Sequence, residues 1–224
     1  MNITKISKYI FLIAICIILF FIYNIENDKY QKEFDAKTPP FETITLGKSK
    51  WDTENDGKIE EDIVWYVVKE DSDKKLLVSK DIVVSSRYNN SPKIASWEDS
   101  DLRWFLNNTF YESFFSSSEK EKILETLVPI DINDKYKTQS GYSTYDKIFI
   151  LSNSEVEKYL KEYSTTSLGK IASATGATYF YWTRTNGYTS FDACYVDGFG
   201  KVNKLGYLST TSRMGIRPAM WIKK

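Results

Sequence analysis

The chain has 224 residues, in which 30 lysines and arginines balance 30 aspartates and glutamates, and it contains no histidine. The zero net charge and the lack of a basic stripe argue against nucleic-acid binding. The absence of histidine excludes Ser-His-Asp and Cys-His catalysis and histidine-based zinc sites. Aromatic residues make up 16% of the chain, including 16 tyrosines and 6 tryptophans, which favours a binding surface.

An uncharged apolar run occupies residues 9–25. At 1.5 Å per residue it spans roughly 25 Å, the short end of what crosses a bilayer core. Lysines precede the run and acidic residues follow it, which predicts that residues 1–8 lie in the cytoplasm and that the chain after residue 25 lies outside. Because no A-x-A-like site follows, we expect an uncleaved transmembrane signal anchor, with cleavage or lipidation at Cys16 as alternatives.

The rest of the chain divides into a linker and one domain. Residues 26–40 are polar and charged and end in two prolines, which is typical of a linker. Residues 41–224 suffice for one globular domain with a sizeable core. Cys16 lies in the apolar N-terminal run and Cys194 in the globular domain, so the two cannot pair and we predict no intramolecular disulfide. Cys194 lies mid-strand with no histidine to activate it, which indicates a buried structural thiol.

The domain begins with three predicted strands, in the segments ETITLGKSKWD, DIVWYVVKED and KKLLVSKDIVV, which indicate a β-meander. After the first strand, Asp52, Glu54 and Asp56 occupy positions 1, 3 and 5 of a calcium loop. Position 12 is Ile63, where such a loop needs a bidentate glutamate. Since Asp-Gly between strands is also a hairpin signal, we predict a turn, with a weak calcium site as the alternative.

The middle of the chain carries the helical patterns. The segment SWEDSDLRWFLNNTFYESFF places Leu102, Phe105 and Leu106 at i, i+3 and i+4, the pattern of an amphipathic helix. Its cap is predicted at Ser96/Asp99 or at Ser100. Two further helices are predicted in SSSEKEKILETL and SEVEKYLKEY, each behind a serine and a glutamate at capping-box spacing. Between these two helices, DKIFILS is predicted to be a buried strand.

The last fifty residues return to strand patterns, in TYFYWTRT, FDACYVD, KVNKLGYLS and MGIRPAMWI. Because helices are confined to the middle, the fold class is predicted to be α+β rather than a doubly wound parallel sheet. Strand alternation sends Tyr179 and Tyr181 to one face and Phe180 and Trp182 to the other. One pair is therefore expected in the core and the other at a groove or in solvent.

Residues of this C-terminal region are the candidates for a ligand surface: Tyr181, Arg184, Tyr188, Asp192, Tyr195 and Arg217. The two arginines lie beside aromatic residues, where they either contact a ligand or stack on a ring and pair with a carboxylate. The Asn-Gly turn before Tyr188 is first a hairpin signal and second a loop that presents side chains. No two carboxylates stand out as an acid and a base, so we predict no catalytic residue and no cofactor.

Several spaced motifs, among them IVWYVV, KIFILSNSEVEKYL, YFYWTRT and GIRPAMWI, resemble in this order an uncharacterised bacterial family of extracytoplasmic domains. The family has a W-x-R-[ST] … [IV]-R-P-A strand series, and the resemblance covers about residues 42–222. It implies no activity, because the family has none assigned.

The end of the chain is also distantly similar to C-type-lectin-like domains of the formylglycine-generating, sulfatase-modifying type, at Trp182, Arg184, Gly215 and Arg217. Those enzymes bind copper through a cysteine pair, whereas this domain has only Cys194. The similarity therefore implies a C-type-lectin-like mixed fold, which its wider superfamily uses mainly for binding.

Together these features predict a single-pass membrane protein whose outer domain binds a cell-surface glycan, peptide or protein. One alternative is a carboxylate-based hydrolase of envelope glycans, which requires two carboxylates across a cleft roughly 5 to 10 Å apart. Another is a structural component of an envelope assembly, which would show a large exposed apolar patch and no pocket.

Overall fold

Strands dominate the computed structural model, which describes residues 39–52 and 58–224. Phe41–Lys224 form one compact unit. The strands described are β1 Thr43–Asp52, β2 Lys58–Glu70, β3 Lys74–Ser79, β4 Val84–Ser85, β5 Ile123–Leu124, β6 Thr126–Val128, β7 Thr144–Asp146, β8 Phe149–Ile150, β9 Tyr181–Asn186, β10 Asp192–Val196, β11 Val202–Leu208, β12 Gly215–Ile216 and β13 Pro218–Lys223. Short helices lie mainly between β4 and β9, which confirms the predicted α+β class.

The helical segments are short and several depart from ideal α geometry. They are α1 Asp101–Phe105, a π-helical turn Leu106–Phe110, α2 Tyr111–Phe114, α3 Ser117–Lys120, α4 Asn153–Glu155, a second π-helical turn Val156–Leu160, a 3-10 turn Lys161–Tyr163 and α5 Lys170–Ala174. Each predicted serine cap is confirmed. Ser100 accepts a hydrogen bond from the Arg103 amide, and both capping boxes, at Ser116 and Ser152, are complete.

The helix predicted over residues 116–127 is wrong beyond Lys120, because its second half forms β5 and β6. Ile123 lies opposite Ile222 and Leu124 opposite Trp221 on β13. The helical preference of this segment covers only one turn after the Ser116 cap. Beyond that turn, pairing with β13, almost one hundred residues later in the chain, decides the structure.

The first sheet has the order β1-β2-β3-β13-β5, and β8 also pairs with β13. Its first three strands are the predicted antiparallel meander. The last strand, β13, pairs with β3, so the C-terminus lies in the sheet that begins at Thr43, with β2 and β3 between β1 and β13. The segment KKLLVSKDIVV, predicted as one strand, breaks after Ser79 and resumes as β4 in the second sheet.

The second sheet has the order β11-β10-β9-β12-β4, with β9 and β12 parallel and the other neighbours antiparallel. A bulge interrupts the β10–β11 pairing. Gly206 lies beside it at φ +81, where an added Cβ atom would come 2.7 Å from the Ala193 carbonyl oxygen. Only glycine fits there without strain, and it allows the edge strand β11 to bend. The chain passes from this sheet to the first one at Arg217, between β12 and β13.

The hydrophobic core includes large side chains from both sheets, among them Trp65, Leu77 and Trp182. The Trp182 indole N–H donates to the Ser86 carbonyl over 3.1 Å, and its ring meets Tyr88 edge-on at 5.9 Å. Trp182 therefore contributes both apolar burial and a satisfied polar group at the centre of the domain.

Two predictions concern residues that the structure does not describe. The predicted span over residues 9–25 lies outside the described residues, and among those described no helix is both long and apolar enough to cross a membrane. Of the calcium candidates, Glu54 and Asp56 also lie outside the described residues. Asp52 ends β1 and lies opposite Lys58 of the antiparallel strand β2.

Candidate functional site

Arg184 lies at the centre of a buried polar network on β9, and its side chain is 2% exposed. Its Nη2 atom donates to Glu155 Oε1 over 2.8 Å, and Nη1 donates to Glu155 Oε2 and to the Ile150 carbonyl. The guanidinium also lies over the Phe149 ring, 5.8 Å from its centroid. Because the same Glu155 carboxylate accepts from the Ser152 amide, one side chain caps α4 and neutralises the buried arginine.

The threonines on either side of Arg184 extend this network. Thr183 donates to Asn153 Oδ1 over 2.7 Å, and Thr185 donates to Asp131 Oδ2 over 2.5 Å. Ser154 donates to the other oxygen of Asp131 over 2.6 Å. The cavity beside Asp131 and Arg184 measures only about 10 Å³, room for about one water molecule at most. The network is therefore a filled structural cluster whose carboxylates are engaged internally.

An open groove of about 720 Å³ runs beside the edge strand β11. Three walls form it: the loop at Lys135 and Tyr136, the helical segment from Val156 to Lys161, and β11 with the turn that precedes it. Its lining residues are Lys135, Tyr136, Val156, Glu157, Lys161, Ser164, Gly200, Lys201, Val202, Asn203, Lys204 and Leu205. The volume is typical of a small-molecule or oligomer site.

Lysines dominate the charged lining of the groove, with four against a single glutamate. Lys204 donates to Asp134 and to Glu157, at 2.9 Å in each case, and so links all three walls. These two hydrogen bonds to carboxylates raise the pKa of Lys204 above its ordinary value. This set has no local signature in the sequence, because the lysines are scattered between positions 135 and 204 of a chain with no net charge.

A family model described as "Domain of unknown function (DUF6273)" matches residues 72–224. The chain belongs to the DUF6273 family. The match confirms the predicted membership of an uncharacterised domain family, although it begins later than the predicted residue 42. The DUF6273 region contains the whole groove and the buried network, whereas β1 and β2 precede it. Searches of curated proteins and of solved structures each found no match.

Arg217 joins the two sheets of the DUF6273 domain. Its Nε atom donates to the Ser79 carbonyl over 2.8 Å, Nη1 donates to the Ser164 carbonyl, and the guanidinium lies over the Tyr181 ring. Tyr181 donates its own hydroxyl to Ser164 over 2.8 Å, and burial raises the pKa of Tyr181. Both side chains are buried, so in the structure they pack in the interior of the domain and do not face solvent.

The other candidate residues are spread over separate surfaces of the DUF6273 domain. Asp192 closes a turn by accepting from the Thr189 amide and hydroxyl. Tyr195 is buried between the rings of Phe180 and Tyr207, at 5.6 and 5.2 Å. Tyr188 is exposed and meets Tyr136, a wall of the groove, at 5.0 Å. Of the six candidates, Tyr188 is thus an exposed side chain that packs against a residue lining the groove, whereas the buried Tyr181 and Arg217 contact the lining through the Ser164 carbonyl.

The predicted alternation around β9 is wrong. Tyr181 and Trp182 are both buried, although they point to opposite faces, while Tyr179 is exposed and Phe180 is half-buried. The physical reason is that Tyr179 and Phe180 precede β9, which begins at Tyr181, and that all six residues of β9 are buried, so both of its faces are covered. A strand covered on both faces loses the two-residue alternation of polarity.

Cys194 of the DUF6273 domain is a buried thiol, as predicted. Its Sγ donates to the Asn186 carbonyl at 3.0 Å and accepts from the Asn133 amide at 3.4 Å. Burial raises its pKa from 9.0 to about 12. The thiol therefore ionises more readily in the unfolded chain than in the folded one, so its contribution to stability is complete below pH 9 and is lost as the pH rises from 9 to 12.

Alkaline pH is expected to destabilise the wild-type protein more than a Cys194→Ala variant. With a folded pKa near 12, the shift corresponds to about 2 kcal/mol of unfolding free energy lost by pH 10.5. Urea unfolding of both proteins at pH 8.0 and at pH 10.5 measures the effect, and other titrating groups cancel in the comparison. A stability difference between the two proteins that does not change with pH would refute the assignment.

Proposed function

We propose that this chain is a membrane-anchored, extracytoplasmic binding domain of C-type-lectin-like fold whose ligand occupies the groove beside β11. The observation that carries the proposal is the groove itself, open and about 720 Å³, next to a polar network that leaves almost no space. The groove offers lysines, a tyrosine and apolar positions together, which suits recognition of an extended envelope component.

Local geometry supports a functional role for this groove. The π-helical turn Val156–Leu160 forms part of one wall, and such turns occur frequently at functional sites. Lys161, which follows that turn, adopts φ 48. This backbone conformation is costly for a residue with a side chain and is concentrated at functional sites.

The sequence supports the rest of the proposal. The apolar run at residues 9–25, with lysines before it and acidic residues after it, supports an anchored domain outside the cytoplasm. The two strands that resemble lectin-like domains, β9 and β12, are direct neighbours in the second sheet, with Gly215 opposite Tyr181. This arrangement supports the lectin-like fold.

A role in an envelope assembly is the second candidate, and the edge strand β11 favours it. Leu205, Tyr207 and Leu208 are each about half exposed on that strand. An exposed edge with apolar side chains can pair with another chain. In that case the groove would be part of a protein interface rather than a ligand site.

Thermal unfolding of the full chain in an uncharged detergent, against an array of envelope glycans and peptides, tests the proposal. A ligand at 100 times its dissociation constant stabilises the folded state by about 2.7 kcal/mol, which raises the midpoint by about 5–10 °C. We expect one ligand class to do so. The shift should disappear in Tyr136→Ala and persist in Tyr145→Ala, which removes an exposed tyrosine that does not line the groove.

Two results would contradict ligand binding in the groove. One is a midpoint shift that survives in Tyr136→Ala. The other is the absence of a shift with every class, together with concentration-dependent oligomers in sedimentation of the same preparation, which would favour the assembly.

A further inference from the structure

The positive charge of the groove is local. The chain as a whole carries no net charge, yet four lysines and one glutamate line this surface. Lys204 is neutralised within the structure, since Asp134 and Glu157 both bind it. The other three lysines, Lys135, Lys161 and Lys201, form no ion pair with any residue that the structure describes. The groove therefore has an excess of cations that lack counterions of their own.

The three unpaired lysines belong to different walls. Lys135 lies in the loop, Lys161 at the end of the helical segment, and Lys201 in the turn before β11. The groove, at about 720 Å³, is much larger than one small inorganic anion and has room for a longer ligand. A polymer that runs along the groove, with an acidic group on each unit, can meet them in succession.

Tyr136 adds an aromatic surface to the same groove. Its ring is half-buried, lies under the Lys135 ammonium at 5.1 Å and is supported by Tyr188. An aromatic ring held in this way offers an apolar face to a ligand beside a cation. Sugar units, which have apolar faces of their own, use such a surface, whereas a bare inorganic polyphosphate does not.

We infer that the groove takes an acidic glycan, a sugar-containing polymer that bears phosphate or carboxylate groups. The inference rests on the proposed binding function and restricts the ligand to glycans that carry negative charge. The acidic groups of the polymer contact Lys135, Lys161 and Lys201, and one of its sugar units contacts Tyr136.

The test measures binding of the full chain, in an uncharged detergent, to three probes of similar length: poly(glycerol phosphate), polygalacturonate and neutral dextran. We expect one or both acidic polymers to bind, with affinity about tenfold lower at 200 mM than at 50 mM salt, because contacts to two or three charges release bound counterions. The preferred polymer identifies the acidic group as phosphate or carboxylate. Dextran should bind at least tenfold more weakly.

Two sets of variants connect binding to the groove. Lys135→Gln/Lys201→Gln should weaken acidic-polymer binding roughly tenfold or more, at about a factor of five for each lost lysine. The matched control Lys170→Gln/Lys223→Gln removes the same two charges from exposed lysines outside the lining and should bind as the wild type does. The Lys161→Gly variant should bind the acidic polymer more weakly, because it lacks one groove lysine. Its thermal unfolding midpoint should nevertheless rise, because glycine adopts φ 48 without strain.

Three results would overturn the inference. They are equal binding of dextran, an acidic-polymer affinity that the groove lysine variants leave unchanged, and no binding of either acidic polymer. If a neutral glycan or a peptide still raises the unfolding midpoint and Tyr136→Ala abolishes that shift, the binding function stands and its acidic ligand is wrong. If no class of ligand shifts the midpoint, the binding function fails as well.

Discussion

Replacing Glu155 by alanine is expected to lower the unfolding free energy by about 3–5 kcal/mol. The substitution leaves the guanidinium of Arg184 buried without its carboxylate partner, and removing one member of a buried pair exposes the full desolvation cost of the other. It also removes the acceptor for the Ser152 amide at the start of α4. Urea unfolding of the full chain, followed by tryptophan fluorescence, measures the loss.

Two controls separate this effect from an ordinary surface change. Glu155→Gln keeps a hydrogen-bond acceptor for both partners but removes the charge, so an intermediate loss is expected. Glu42→Ala removes the exposed ion pair with Lys75 and should cost less than about 1 kcal/mol. If Glu155→Ala costs no more than Glu42→Ala, the Arg184 network does not hold the second sheet to α4.

Replacing Trp182 by alanine should also cost about 3–5 kcal/mol, because it empties the space of a fully buried indole. It removes the contact with Tyr88 and the hydrogen bond to the Ser86 carbonyl. Trp182→Phe restores most of the apolar contact but not the hydrogen bond, so it should lose about 1–2 kcal/mol. Equilibrium unfolding in urea measures both variants.

Trp104→Ala is the matched control, because this tryptophan is 64% exposed. Its removal should change stability by no more than about 0.5 kcal/mol. Similar losses for Trp104→Ala and Trp182→Ala would show that Trp182 does not lie at the centre of the core.

Sequence reasoning succeeded where a few neighbouring residues decide the structure. The caps at Ser100, Ser116 and Ser152 are local hydrogen-bonding patterns, and all are present. It failed where the outcome depends on distant pairing. Ile123–Leu124 and Thr126–Val128 are strands because β13 and β7 pair with them, and the predicted strand KKLLVSKDIVV divides between two sheets.

The candidate site was predictable in residue type but not in arrangement. Arg184 and Arg217 beside aromatic residues left a ligand role and a structural role open, and the sequence could not place Glu155, 29 residues away, against Arg184. The groove was missed because its lysines come from three separate parts of the chain. A count of charges along the sequence cannot detect a cluster that only the topology assembles.

Because the Cys194 thiol is buried, its chemical modification can report local opening of the folded protein. With Cys16 replaced by serine, an alkylating reagent can modify Cys194 only when the structure around this thiol of β10 opens and the thiol reaches solvent. The modification rate therefore measures how often the structure around Cys194 opens. β11 pairs with β10 and is also a wall of the groove, so a bound ligand that holds this wall in place should lower the alkylation rate of Cys194. Ligand binding can then be measured from that rate without any label on the ligand.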